Sequence, residues 1–570
     1  MSENSLKLFK IIVIISFSAI LLRLVQLQFL ERPRWVRLSE ENRVKPLFVR
    51  APRGRIFDCH RRLVVSNRSS YSLLLEGDCS AALLDSLEEK LGITLRQIDS
   101  LATYPFTIAW DIGIEAASYV EEHNHELPNV SVETRVVRNY PYGPVASHTF
   151  GYIGEISELK HGYLLGDQVG LTGIEKEYEL YLKGRNGVEY LEVDARGRRI
   201  RKLSERTEAA VPGNDVHLTM DIELQTIIEE ELEGHEVCAV VAMRPEDGSI
   251  LAIVSKPSFD PNQVFIQTDS DYWQKLVDSP HSPLWNRALS SGYPPGSVFK
   301  LVVAGFAYEE GVVKEHTVMR CNGGYQFGNR FFRCWESHGN VDLRESIVKS
   351  CDSYFYQLGE RLGVEGISKG GLKLGFGGVT GIDLPNEKPG LVPTPEWYDE
   401  RFGSGGWTRG VALNLSVGQG EILTTPLQLT RFIASIANGG ILYRPFIVKE
   451  IVDRTGRQLY KGRAKGEALP LSERTIRILR ESMLNVVKSS HGTGILARSE
   501  LVEIAGKTGT AENPSGEDHS IFCCFAPFTQ PEVALCIIVE RGGHGSMVAA
   551  PISGRIIERY LCRKESVQDL

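Results

Sequence analysis

Ser297 and Lys300 stand three residues apart after Tyr293-Pro-Pro-Gly296, where an apolar run from Phe299 to Tyr308 opens. On a helix, side chains three apart share a face, so this spacing brings an amine within reach of a hydroxyl. A helix amino end adds backbone N–H groups and a dipole that favour negative charge. Two further segments supply what such a serine lacks. Ser350-Cys-Asp352 offers a second hydroxyl and a carboxylate. Lys507-Thr508-Gly509-Thr510 offers a second amine on an expected strand, where Gly509 is expected to let a substrate approach the backbone. A nucleophile, an activating base and an oxyanion site are the requirements of covalent acyl transfer. The S-x-x-K pattern recurs at Ser157–Lys160 and Ser346–Lys349, but only Ser297 follows a Pro-Pro-Gly turn and opens an apolar helix, so the other two read as accidents. Three motifs in this order are far more specific than any one of them.

The elements that must hold these motifs are partly legible. The chain of 570 residues is 42% hydrophobic and 24% charged, too long for one compact domain and without repeats or low-complexity tracts. Its net charge of -8 is spread along the chain, with no concentrated basic face, which sets nucleic-acid binding aside. From Leu8 to Leu30 the chain is apolar except for Lys10, Ser16, Ser18, Arg23, Gln26 and Gln28. With Lys10 and Arg23 snorkelling, this reaches the ~20 residues of a membrane span. No small-x-small cleavage site follows, only Phe29-Leu-Glu-Arg-Pro33, so an uncleaved single-pass anchor is expected over 1–30 rather than a signal peptide. Basic residues flank it on both sides, and a positive-inside count is weak for long translocated domains, so the chemistry decides its orientation.

Residues 31–206 read as an extended α+β head, and the shift in composition across 207–215 reads as a linker. Within 216–565, ahead of a short tail at 566–570, Val216–Thr219 reads as a strand and Ile222–Leu232 as a helix. Val237–Met243 and Ile250–Ser255 form an expected hairpin around the Pro245–Gly248 turn. Glu503–Gly506, Ser520–Phe525 and Val533–Val539 are three more expected strands. Strands at both ends with helices between predict an α/β domain whose central sheet joins distant stretches of chain.

Residues 44–565 resemble the class B penicillin-binding proteins. The head carries Arg53-Gly-Arg-Ile-Phe-Asp58, Gly170-Leu-Thr-Gly-Ile-Glu175 and Val193-Asp-Ala-Arg-Gly197. The later region carries Pro257-Ser-Phe-Asp-Pro-Asn262, Tyr293-Pro-Pro-Gly-Ser297, His338-Gly-Asn-Val-Asp342, Gly418-Gln-Gly420 with Thr425-Pro426, Gly506-Lys-Thr-Gly-Thr-Ala511, and Gly542-Gly-His-Gly545 with Ala549-Ala-Pro551. Asp352, where such enzymes more often carry Asn, together with Ser353-Tyr-Phe-Tyr356, is similar to the elongation subfamily rather than the septal one.

The resemblance implies a membrane anchor, a dimerisation-type head and a transpeptidase domain built on an antiparallel sheet. It implies two-step acyl transfer on peptidoglycan stem peptides ending in D-Ala-D-Ala, and β-lactam sensitivity. Ser297 is then the nucleophile and Lys300 the general base, with burial and Lys507 favouring a neutral Lys300 amine and Asp352 opposing it. Ser350 relays a proton. Lys507, Thr508 and Thr510 bind the substrate carboxylate, and the N–H groups of Ser297 and Thr510 form the oxyanion hole. Implied partners are a RodA-type SEDS glycosyltransferase and an MreC-like scaffold, at a bacterial inner membrane with the catalytic domain outside the cytoplasm. A carboxypeptidase or β-lactam-hydrolysing relative, and an acylated sensor or scaffold without turnover, are the alternatives.

Ten cysteines are many for a chain expected outside the cytoplasm. Cys321, Cys334, His338 and Cys351 have the spacing C-x12-C-x3-H-x12-C and the ligand types of a closed Cys3His zinc site. Some elongation-type relatives have a metal site in this region. A Cys321–Cys334 disulfide and simply buried thiols are the competing readings. Cys523, Cys524 and Cys536 fall in apolar strands and read as core; His519 and His544 are given no catalytic role.

Overall fold

The computed structural model describes residues 3–95, 106–156, 162–163, 167–193, 199–265, 270–513 and 516–568. Ser157–Lys160 and residues 194–197 of the Val193–Gly197 string lie outside these. The chain divides into two compact units, Met1–Pro52 with Lys183–Gly213, and Arg53–Leu182 with Asn214–Leu570.

In the first unit a helix over Glu3–Val25 continues through a π-type turn at Gln26–Leu30. Its apolar stretch Leu6–Leu30 is 25 residues long and has no buried part, enough to cross a bilayer. A second helix, Arg32–Arg43, leads into Val44–Val49, which pairs antiparallel with Gly187–Val193; Arg199–Lys202 completes this small sheet.

The second unit draws on two stretches of chain. Residues 53–182, expected as part of the head, belong to the same unit as 214–570. The short strand Ile56–Phe57 pairs parallel with Asp215–Leu218, which joins the two stretches in one sheet. Nearby, the fully buried Glu175 accepts from Arg138 Nε (2.6 Å) and Arg53 Nη2 (2.6 Å), and Arg53 also meets Glu179 at 2.7 Å. Burial pushes the Glu175 carboxyl up, but the two guanidiniums outweigh it and hold it below its ordinary range. Beyond this knot the long strand Leu63–Leu75 pairs with Val130–Asn139 on one side and Phe106–Ile112 on the other. Leu73, Leu75, Leu87, Ile108 and Val120 make a separate small core there.

The catalytic sheet has five strands: β1 (Cys238–Met243), β2 (Ile250–Lys256), β3 (Ala505–Ala511), β4 (His519–Ala526) and β5 (Val533–Val539). Their order is β2-β1-β5-β4-β3, every pair antiparallel. β1 and β5 are buried along their whole length, which is why they read as unbroken apolar runs without alternation. Helices α1 (Ile222–Glu231) and α6 (Ala549–Gln568) cover one face. α4 (Pro426–Ala437), started by a Thr425–Gln428 capping box, lies on the other, and α5 (Glu473–Lys488) packs against β3. Buried helices α2 (Lys300–Glu309) and α3 (Asp352–Lys373) complete the core beside them. β3 starts two residues later than the expected Glu503 and runs on to Ala511, because its register with β4 holds from Ala505↔Phe525 to Ala511↔His519. It is an edge strand, so one side of its backbone is free of sheet partners.

Candidate active site

Ser297 sits half-buried in a single 3-10 turn, Gly296–Val298, that feeds directly into α2, so Lys300 is the first residue of that helix. Gly296 has φ +53°, and a Cβ there would lie 2.5 Å from the carbonyl oxygen of Thr510. The nucleophile turn and β3 therefore touch through a glycine. Gly509 belongs to the same contact, since a Cβ on it would meet Val298 at 3.0 Å and the Pro295 carbonyl at 3.1 Å. The approach of the serine turn therefore requires a glycine at 509, a reason that the sequence expectation of substrate approach did not include.

Lys300 is completely buried, and its amine donates to Asp352 Oδ1 (2.6 Å), the Ser350 carbonyl (2.9 Å) and Ser350 Oγ (3.3 Å). All three of its N–H directions are used. Among the described residues no hydrogen bond links it to Ser297, so the expected direct Lys300–Ser297 contact is not made in this state. Lys507, from β3, is equally buried and donates to Ser350 Oγ at 2.9 Å and to the Thr508 carbonyl at 3.1 Å. Burial, reinforced by the Lys300 charge and opposed by Asp352, pushes the Lys507 amine well below its ordinary range.

Ser350 is thus the crossing point of both amines, and its own backbone is unusual. Its φ of +52° is a left-handed conformation that a non-glycine residue adopts at a cost of about 1–3 kcal/mol. Neighbouring bonds fix it: Ser350 N–H donates to Ile347, Cys351 N–H to Ser346, and the Trp335 indole N–H to the Lys349 carbonyl at 3.1 Å. The second S-x-x-K is structurally inert, with the buried Ser346 hydroxyl donating to Leu343 and Lys349 lying 3.8 Å from Glu345.

The threonines of the strand motif divide. Thr508 is buried with its hydroxyl bonded to that of Thr493 (2.7 Å). The Thr510 carbonyl accepts from Gln419 Nε2 at 3.0 Å, which places it on the free edge of β3. In an antiparallel strand the N–H of a residue points to the same side as its carbonyl, so the Thr510 N–H also faces the serine turn. Gly418 ties this arrangement together by accepting from the Gly296 N–H at 2.9 Å. Sequence reasoning assigned no role to Gln419, Thr493 or Trp335. The first lies in the quoted Gly418-Gln-Gly420 string, the second in a Gly-Thr-Gly turn, and the third directly after Cys334, 60% exposed despite its size. His519 packs edge-on against Tyr293.

Immediately beyond Ser350, Cys321, Cys334, His338 and Cys351 converge, with their ligand atoms all within 4.8 Å of one another. His338 Nδ1 lies 3.6 Å from Cys321 Sγ and 3.5 Å from Cys334 Sγ. Tetrahedral zinc at normal bond lengths would set ligand nitrogen and sulfur about 3.6 Å apart, so the donor set fits the ion. All ten cysteines, these included, are free thiols, which leaves Cys321 and Cys334 unbonded to each other.

Comparison with known proteins bears on the whole chain. The penicillin binding protein transpeptidase domain model matches residues 238–558, and the penicillin-binding protein dimerisation domain model matches 48–218. The peptidoglycan D,D-transpeptidase MrdA of Acinetobacter baumannii is 31% identical over 97% of this chain and 87% of its own length. MrdA of Escherichia coli is 30% identical over 90% of this chain and 86% of its own. Among solved structures, the complex of PBP2 with MreC from Helicobacter pylori superposes with a TM-score of 0.75 at 28% identity, covering 91% of this chain and 99% of that one. A peptidoglycan synthase complex that coordinates polymerization and crosslinking gives 0.74 at 30% identity, with 98% of each chain covered. A transpeptidase model spanning more than half of the sequence, and relatives this similar along nearly all of it, establish that the chain belongs to the class B penicillin-binding proteins.

Proposed function

We propose that this protein is a cell-elongation D,D-transpeptidase that cross-links peptidoglycan stem peptides through an acyl-enzyme on Ser297. Ser297 Oγ attacks the penultimate D-Ala carbonyl, the C–N bond to the terminal D-Ala breaks, and the departing amine takes up a proton. An amine of a neighbouring stem then attacks the ester and releases Ser297. The observation carrying this reading is that one hydroxyl, Ser350 Oγ, is held by both lysine amines, at 3.3 and 2.9 Å. Asp352 pairs with the Lys300 amine at 2.6 Å, and Lys507 is the amine whose buried surroundings favour the proton-accepting form. A substrate carboxylate brings a second negative charge and allows both amines to be protonated. Substrate binding brings the Ser297 hydroxyl to the Lys300 amine, which takes up its proton as it releases one to Ser350 Oγ and thence to Lys507, and the path reverses to the leaving amine. The Ser297 and Thr510 N–H groups stabilise the oxyanion.

An amine rather than water resolves the acyl-enzyme in this reading, which the anchor and head favour over a carboxypeptidase or β-lactamase. The apolar Leu6–Leu30 helix supports a single-pass anchor in the inner membrane with the catalytic unit outside the cytoplasm. A RodA-type glycosyltransferase and an MreC-like scaffold are the proposed partners, supported by the similarity to PBP2 bound to MreC and to the synthase complex.

Zinc at Cys321, Cys334, His338 and Cys351 would brace Cys351, the residue between Ser350 and Asp352. Protein purified without chelator is expected to carry this zinc, and Cys334→Ser to lower the zinc content by one equivalent by elemental analysis; an unchanged content contradicts the site. The acyl-enzyme itself is tested with a fluorescent penicillin. Wild type is expected to take covalent label and Ser297→Ala none; label retained by Ser297→Ala would refute the assignment.

A further inference from the structure

A second cluster of metal-ligating side chains lies away from the catalytic centre and from the Cys3His group. Cys59, His60 and Asp221 bring a sulfur, a ring nitrogen and a carboxylate oxygen within 4.8 Å of one another. We propose that these three residues bind a divalent transition ion of the zinc class, with water completing the coordination on the open side of His60.

The loop that presents the first two ligands is held before any ion arrives. Asp58 Oδ1 accepts from the backbone N–H groups of His60 (2.9 Å) and Arg62 (2.7 Å), and Asp58 N–H donates to the Arg62 carbonyl at 2.9 Å. Cys59 N–H donates to the Met220 carbonyl at 2.8 Å, which sets the Cys59–His60 pair against the start of α1. Asp221 caps that helix with one oxygen, accepting the Glu223 N–H at 3.0 Å. Its other oxygen, Oδ2, meets His60 Nε2 at 3.3 Å and the Tyr560 hydroxyl of α6 at 3.2 Å.

These contacts suit a metal. Tetrahedral nitrogen and oxygen ligands each about 2.1 Å from an ion stand about 3.4 Å apart, close to the His60–Asp221 separation. A small turn of the half-buried Cys59 side chain brings its sulfur to the same ion. Tyr560 then becomes an outer partner that orients the ligating carboxylate. Asp58, 1% exposed, lies beside the ligands with its Oδ2 buried and without a hydrogen-bond partner. Of the nearby cations, Arg62 at 3.0 Å and Arg563 at 2.8 Å both pair with Glu223, while Arg244 and Lys449 lie within electrostatic reach of Cys59. One thiolate, one imidazole and one carboxylate leave a divalent ion neutral and exclude the hard cations, which take oxygen ligands alone. The ion would clasp three remote points of the second unit: the loop at 59–60, the head of α1 at Asp221, and α6 through Tyr560.

The test counts metal on the full chain, purified with its affinity tag removed and loaded with Zn2+ and then with Co2+ before desalting. Wild type, Cys59→Ser, His60→Asn and Cys334→Ser are compared, with penicillin labelling of each confirming that it is folded. The clasp predicts that Cys59→Ser and His60→Asn each lose one equivalent. It also predicts that Cys334→Ser retains one equivalent whose cobalt–thiolate absorption disappears when Cys59→Ser is added. Metal content and cobalt spectra unaltered by Cys59→Ser and His60→Asn would overturn it, as would a Cys334→Ser protein that binds none. Loss at Cys334→Ser alone, with Cys59→Ser and His60→Asn unaltered, would place all the metal in the Cys3His group and likewise overturn it.

Discussion

Lys507→Met is expected to lower the second-order rate of Ser297 acylation by about 10²–10⁴-fold, the range for losing a positioned proton-transfer group. Methionine keeps most of the buried volume and removes the amine that holds Ser350 Oγ at 2.9 Å. The pH profile adds a signed test. Because burial and the neighbouring Lys300 hold Lys507 well below its ordinary range, the proton-accepting form is lost as pH falls through that depressed value, giving acylation an acidic limb. Asp352 is the charge that opposes the depression, so Asp352→Asn should move the acidic limb to lower pH, while the apparent value belongs to the coupled lysines as a pair. Stopped-flow acylation across pH measures both. A limb that moves to higher pH in Asp352→Asn, or a Lys507→Met enzyme acylated at the wild-type rate, would remove Lys507 from the proton path.

Glu175→Ala should cost about 3–5 kcal/mol of stability, the usual penalty for leaving buried charge without its partner. Glu175 is the shared acceptor of Arg53 and Arg138, and only Arg53 has a second carboxylate, Glu179, to turn to. The loss should be largest near neutral pH. Since the carboxyl is held below its ordinary value of about 4.5, its contribution is present above that value and disappears as pH falls through the folded-state value. Urea unfolding of the soluble region at neutral and acid pH reads this directly, and a neutral-pH change below about 1 kcal/mol would show that the knot is not structural.

The nucleophile and its lysine were legible because a turn followed by a helix is a local pattern, and Pro294-Pro295-Gly296 marks where the turn must end. The catalytic hairpin and the strand Val533–Val539 were legible for the same reason, as apolar runs bounded by turn residues. What sequence could not disclose is long-range. Ile56–Phe57 is only two residues of strand, too short for any periodic signal, yet its parallel pairing with Asp215–Leu218 joins residues 53–182 to the catalytic stretch. Gly509 was attributed to substrate access because the approach of the Ser297 turn, more than two hundred positions earlier in the chain, has no trace in the local motif. The charge state of the two lysines was likewise beyond reach. It depends on which amine Asp352 pairs with, and that pairing joins residues 52 positions apart in the chain.

The central claim is that an amine, and not only water, resolves a Ser297 acyl-enzyme. The direct measurement is an exchange reaction: a stem-peptide donor ending in D-Ala-D-Ala, an isotopically labelled D-amino acid as acceptor, and mass spectrometry of the product. Wild type is expected to return donor peptide with the labelled residue in place of its terminal D-Ala, and Ser297→Ala to return it unchanged. Shortened donor without incorporated label would make the protein a carboxypeptidase. Unaltered donor from a wild type that still takes penicillin label would make it an acylated scaffold, and either result contradicts the account.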